Sequence, residues 1–383
     1  VHIRTFRRTG LAAALTAAVL AAPVATPAHA RAEHREAGAT AAATGDVFSI
    51  TDGLARRLAG ALADPAATRA AVAATADGPA DLLAVPFAAP ALSRAAEAAN
   101  QRVLEAKGLP ATAGSLLRLR LAHQDMAAAL ARGAAPLVAA TPTDDALTGV
   151  TAYDRGGVAV SLDASRVPTR PVLLVEVDTA RALAAGLELM RGELARRGVS
   201  DTAAARAATT RTTTGLTAAA SGYWATKVDA VRLSDDKEPW IKGDAEVYSL
   251  VAGFGLDGKP KVDLVQMPYL NSDGVTYYPN QLLVHFSQYK YNLADVVMME
   301  DDGDTNYKTL VQAIVSALLV IVDGGAYQPL VSAILDAIPT SWYTDDPDYV
   351  DSWYTLSTTS RGRLNGAAGN GWLDVSPYFV QEL

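Results

Sequence analysis

The sequence predicts an α+β protein in several parts: an N-terminal mainly helical domain with a small β-sheet, then a C-terminal antiparallel β-sandwich with an inserted helical hairpin. Three observations carry that expectation. Apolar residues recur at helical spacing through much of the first half. Beyond residue 222 the pattern turns to short alternating runs separated by turn residues. The composition changes at the same place. Every Trp, and every Tyr except Tyr153, lies after it, and net charge passes from +4 over residues 1–222 to −12 over residues 223–383, together the chain's −8.

At the N-terminus, "VHIRTFRRTG" supplies Arg4, Arg7 and Arg8, an apolar run follows, and "AHA" offers a small-residue cleavage site at Ala30. That order of parts predicts a secretory signal over residues 1–30, a mature chain starting near Arg31 and an extracellular location. The absence of cysteine excludes disulfides and thiol chemistry, so stability must come from core burial or bound ions. Residues 31–199 then read as the helical domain. Helices are expected in "DVFSITDGLARRLAGALAD", "PALSRAAEAANQRVLEAKGLP", "SLLRLRLAHQDMAAALARG" and "TARALAAGLELMRGELARRG", with Gly133 closing the third. A hairpin turning at Asp154–Gly157 and a short buried strand in "PVLLVEVD" form the small sheet. Residues 200–222, rich in Ala and Thr and without large apolar side chains, read as a linker.

Residues 223–383 read as seven strands: Tyr223–Leu233, Asp244–Phe254, Lys261–Tyr269, Gln281–Gln288, Leu293–Glu300, Val350–Ser357 and Trp372–Val380. The insertion at 305–340 reads as two helices hinged at Asp323–Gly325. Its apolar stretch Leu310–Val322 is too short to span a bilayer and contains Gln312 and Ser316. A hairpin packed on the sandwich is therefore expected, with membrane insertion as the minor alternative and no transmembrane span in the mature chain.

Carboxylates gather where strands end. "MMEDDGD" brings Glu300, Asp301, Asp302 and Asp304; "LSDDKEPWIKGDAEVY" brings Asp235, Asp236, Asp244 and Glu246; "YTDDPDYVDSWY" brings Asp345, Asp346, Asp348 and Asp351. Counting strand directions in an antiparallel sandwich places these three clusters, and Asp273, at one end. Like charges so arranged raise one another's pKa unless a cation compensates. Calcium suits loops rich in carboxylate and carbonyl oxygen, magnesium comes second, and zinc is disfavoured by the lack of cysteine and the few histidines. The candidate metal ligands are Asp235, Asp236, Asp244, Glu246, Asp301, Asp302, Asp304 and Asp348.

The order of these elements resembles the calcium-dependent phospholipid-binding sandwich of protein kinase C. "SDDKEPWIKGDAEVYSLV", then "MMEDDGD", then "DPDYVDSWYTL" follow the family's loop order over the last two fifths of the chain. The resemblance implies Asp236, Asp244, Asp302, Asp304 and Asp348 as ligands. It departs from the family in the helical hairpin of the third loop, in Asp351 where the family has Gly, and in showing seven strands. The whole chain also resembles secreted bacterial proteins known only as a domain of unknown function, which implies no activity.

Other motifs fail on context. "DGDTNYK" lacks the Gly and closing Glu of an EF-hand, "GFGLDG" leads into a strand instead of a helix, and "SQYK" sits at a strand end. His123 falls in a helical pattern and His285 points away from the core face of its strand, neither with a sequence-near partner. The expected function is a secreted, calcium-stabilised binding module that engages anionic lipid or cell-envelope polymer, leaning away from catalysis. The alternatives are a hydrolase whose acidic loops are flanked by Trp240, Trp342 and Trp353, and a protein-interaction role for the helical half. Net acidity argues against nucleic acid.

Overall fold

The computed structural model describes residues 46–142, 148–164, 166–200, 222–235, 245–301, 303–338 and 349–381. The expected signal and nearly all of the expected linker lie outside them. The described residues belong to one compact unit, residues 43–383, which mixes helices with several largely antiparallel sheets.

Local chemistry sets the helix starts. Asp46, Asp64 and Asp178 accept hydrogen bonds from the backbone N–H of Phe48 (3.2 Å), Ala66 (2.9 Å) and Arg181 (3.0 Å). These caps satisfy first-turn donors of α1 (Val47–Ala61), α2 (Pro65–Ala74) and α5 (Thr179–Arg196). Pro65 and Pro90 open α2 and α3 (Pro90–Ala106), where a missing N–H costs nothing.

The helix expected in "SLLRLRLAHQDMAAALARG" is instead strand β2 (Leu117–Leu121), a 3-10 turn, and a short helix α4 (Ala127–Ala131). Leu117, Leu119 and Leu121 alternate with Arg118 and Arg120, a pattern that also fits a strand. Pairing with β6 (Val172–Val177) decides it, because Glu176 on β6 meets both arginines, Arg118 Nη2 at 3.0 Å and Arg120 Nε at 2.5 Å. Gly133 does close α4, at φ +87°. The sheet is larger than expected: β1 (Ala80–Asp81), β3 (Leu137–Ala140), β4 (Gly149–Tyr153) and β5 (Ala159–Asp163) join in the order β1-β2-β6-β3-β4-β5, all antiparallel except β3–β6. The β4–β5 hairpin turns at Asp154–Gly157 as expected.

After residue 222, β8 (Val247–Phe254), β9 (Pro260–Gln266), β12 (Leu293–Glu300) and β13 (Tyr349–Ser357) form one sheet in the order β13-β12-β8-β9. The other runs β10-β7-β15-β14, with β11 (Gln281–His285) also on β7 (Gly222–Leu233). Strands β10 (Thr276–Tyr277) and β14 (Gly362–Asn365) were not expected; β15 (Gly371–Gln381) was. One hydrophobic core draws Val228, Val251, Val296 and Val375 from facing sides of the two sheets.

The opposite face of β8, with Tyr248, Leu250 and Phe254, joins a second core containing α1, α3, α5 and the helices α6 (Tyr307–Leu319) and α7 (Val331–Ala337). Strand β8 is thus buried on both faces, so its alternation was weak in the sequence. The two halves are fastened beyond packing. The Val262 N–H donates to Val199 O (2.8 Å), and Lys261 Nζ to Gly198 O (2.9 Å), which covers the β9 edge. Where α3 ends, Asn306 donates to Ala106 O (2.6 Å) and the Tyr307 N–H to Lys107 O (3.1 Å). A Cβ on Gly108 (φ +66°) would lie 2.7 Å from Asn306 Oδ1, so only glycine admits this approach.

Candidate functional site

The ladder registers bring several strand ends together. Glu300 pairs with Val247, Met299 with Tyr349, and Leu233 with Gly371. The Asn370 side chain donates to Asp235 O (2.9 Å) and Val350 O (3.3 Å), tying the ends of the two sheets. Asp235 (exposed), Glu246 (half-buried) and Asp301 (buried) therefore lie at one end, and half-buried Asp304 follows on the way into α6. Expected ligands Asp236, Asp244, Asp302 and Asp348 lie outside the described residues. Among the described residues, no group of three or more His, Asp or Glu is placed to hold a metal ion.

Asp301 does other work. Its Oδ1 pairs with Lys107 Nζ at 3.3 Å, both side chains fully buried, and its Oδ2 accepts from the Tyr307 hydroxyl. Burial, then the Asp301 charge, hold the Tyr307 pKa well above its ordinary value, so the phenol keeps its proton and donates. Lys107 also lies 5.1 Å from the centre of the Tyr307 ring. The carboxylate that sequence placed toward an ion is compensated by a lysine at the C-terminus of α3, where the helix dipole also favours a cation.

Asp351, buried on β13, is satisfied by backbone. It accepts from the N–H groups of Ser352 (2.8 Å), Ala368 (2.8 Å), Asn370 (2.9 Å) and Gly371 (2.8 Å). It organises the turn from β14 into β15, and a Cβ on Gly366 would sit 2.0 Å from its carboxyl. The buried Glu300 accepts from the Glu246 N–H (3.3 Å). Trp353, expected beside the acidic loops, is buried between the sheets with its Nε1 on Leu364 O (3.0 Å). Trp240 and Trp342 lie outside the described residues.

The first half holds a feature that sequence reading missed. A cleft of about 550 Å³ opens beside the end of β2, lined by Val72, Pro79, Leu121 and Leu130 with Arg120 and His123. Its Arg120 shares buried Glu176 with Arg118, and Thr141 donates to the same carboxylate (3.3 Å). The alternation from Leu117 to Leu121 was the available signal. His123 is not helical: it precedes the 3-10 turn, and its Nδ1 accepts from the Asp125 N–H (3.3 Å).

A family described as "Protein of unknown function (DUF3103)" matches residues 72–383. No curated protein and no solved structure matches the chain, and no match supports the likeness to the protein kinase C sandwich. Among the described residues, no helix is long and apolar enough to cross a membrane.

Proposed function

The chain belongs to the family described as protein of unknown function (DUF3103), and we propose that within it this protein is an exported binding module stabilised by calcium. The two facing sheets act as a β-sandwich whose acidic end carries the ion. Asp235, Asp236, Asp244, Glu246, Asp302, Asp304 and Asp348 are the candidate ligands, while Asp301 ties the sandwich to the helices. The observation that supports this reading is the junction of strand ends that gathers Asp235, Glu246 and Tyr349 at one end of the two sheets, with Asp304 following Glu300 there.

The donor chemistry fits a hard cation, since the side chains concerned offer only oxygen. The buried Thr305 hydroxyl, next to Asp304, has no hydrogen-bond partner among the described residues. A bound ion with open coordination would bridge to an anionic partner, the phosphate of a lipid or a cell-envelope polymer. Calorimetric titration of the full chain with calcium tests this. Heat of binding that disappears in both Asp236→Asn and Asp348→Asn is expected, with magnesium binding more weakly. Absence of heat with the wild-type chain overturns the proposal.

A further inference from the structure

At the other end of the same sheet, the β8–β9 turn and the chain leaving α6 come together. The Gly258 turn has φ +75°, and a Cβ there would lie 3.2 Å from Asp323 Oδ2. Four aliphatic side chains project from these two segments: Leu256 is 71 % exposed, Leu319 51 %, Val320 77 % and Val322 80 %. Leu256 and Val322 line one shallow hollow with Lys259 and Lys290.

The exposure is held in place. Asp323 accepts from Lys290 Nζ (2.5 Å), the Tyr291 hydroxyl (2.6 Å) and the Gly325 N–H (2.9 Å). Beneath the segment, Phe254, Tyr291 and Tyr327 pack edge-to-face with centroids 6.1 to 6.3 Å apart. A braced loop that presents valines outward calls for a partner surface.

The chemistry of the patch selects that surface. Protein interfaces favour Tyr, Trp, Met and Arg and are poor in Lys. Here the tips are Leu and Val, and Lys259 and Lys290 border them; Asp323 matches Lys290 and the buried Lys261 matches Asp257, leaving Lys259 as the extra cation among these groups. Exposed aliphatic tips edged by lysine suit the boundary of an anionic bilayer, where apolar side chains enter the acyl region and ammonium groups stay with the phosphates.

We propose that this end is a calcium-independent contact with an anionic lipid surface, in which Leu256, Val320 and Val322 insert beside the headgroups and Lys259 meets their phosphates. The test is co-sedimentation of the full chain, in chelator throughout, with vesicles of phosphatidylcholine alone or mixed with phosphatidylglycerol. Pelleting with the mixed vesicles is expected, reduced about tenfold in Val320→Asp/Val322→Asp and weakened in Lys259→Glu. These side chains are exposed, so the variants should melt like the wild type. The proposal is overturned if the wild type stays in the supernatant, or if the double aspartate variant pellets equally well. A wild-type dimer that the aspartates dissociate, without vesicle binding, also overturns it by making a second copy the occupant. Because chelator is present, failure here leaves the calcium proposal standing.

Discussion

Lys107 and Asp301 face each other without solvent, with Tyr307 completing the group. Removing one partner of such a pair leaves a buried charge, so Lys107→Ala should lower stability by about 3–5 kcal/mol, read from the urea midpoint, whether or not calcium is present. His285 offers a pH test. It is half-buried, with Nδ1 3.1 Å from the Tyr223 hydroxyl, and burial lowers its pKa, opposed in part by the charge of Asp263. The unfolded chain therefore takes up the proton first as pH falls. The stability associated with neutral His285 is present above the ordinary histidine range and is lost on acidification below about pH 6.5. His285→Gln should flatten that part of a stability-against-pH curve; an unchanged slope would place the effect elsewhere. Neither feature was readable in the sequence, since Lys107 lies 194 positions before Asp301 and Tyr223 lies 62 before His285.

Helices α5 and α6 test the packing at the scale of elements. A Cβ on Gly186 would lie 2.4 Å from the Tyr307 ring, whereas one on Gly192, in the same helix, meets nothing within 4 Å. Gly186→Ala should destabilise by about 1–3 kcal/mol through overpacking. Gly192→Ala should stabilise by up to about 1 kcal/mol through helix propensity. Paired denaturation curves check both, and equal effects would deny the close crossing. Helices α1, α3 and α5 and strand β13 were legible because their signals are local, apolar residues at helical spacing in the helices and alternation in the strand, whereas the short α2, opened by Asp64 and Pro65, was not expected. Strand β2 was misread because five residues of alternating Leu and Arg satisfy two periods, and the choice depends on Glu176 across the ladder. Strands β10 and β14 are too short to leave a pattern.

For the whole molecule, composition suggested two halves, and the structure adds a core that both share, running from α1 and α3 to the outer face of β8 and β12. That sharing depends on which face of each strand meets which helix, information spread over distant residues. Strand-direction counting did bring Asp235, Glu246 and Asp301 to one end. It could not foresee that Asp301 would be neutralised by a lysine, or Asp351 by four backbone N–H groups. Thermal melting of the full chain, first in calcium and then in chelator, tests the calcium reading most directly. At calcium near one hundred times its dissociation constant, binding adds about 2.7 kcal/mol. The melting temperature should therefore rise by several degrees in the wild type and in Lys107→Ala alike, with no rise in Asp348→Asn. A wild-type chain that melts at the same temperature in calcium and in chelator would contradict the account.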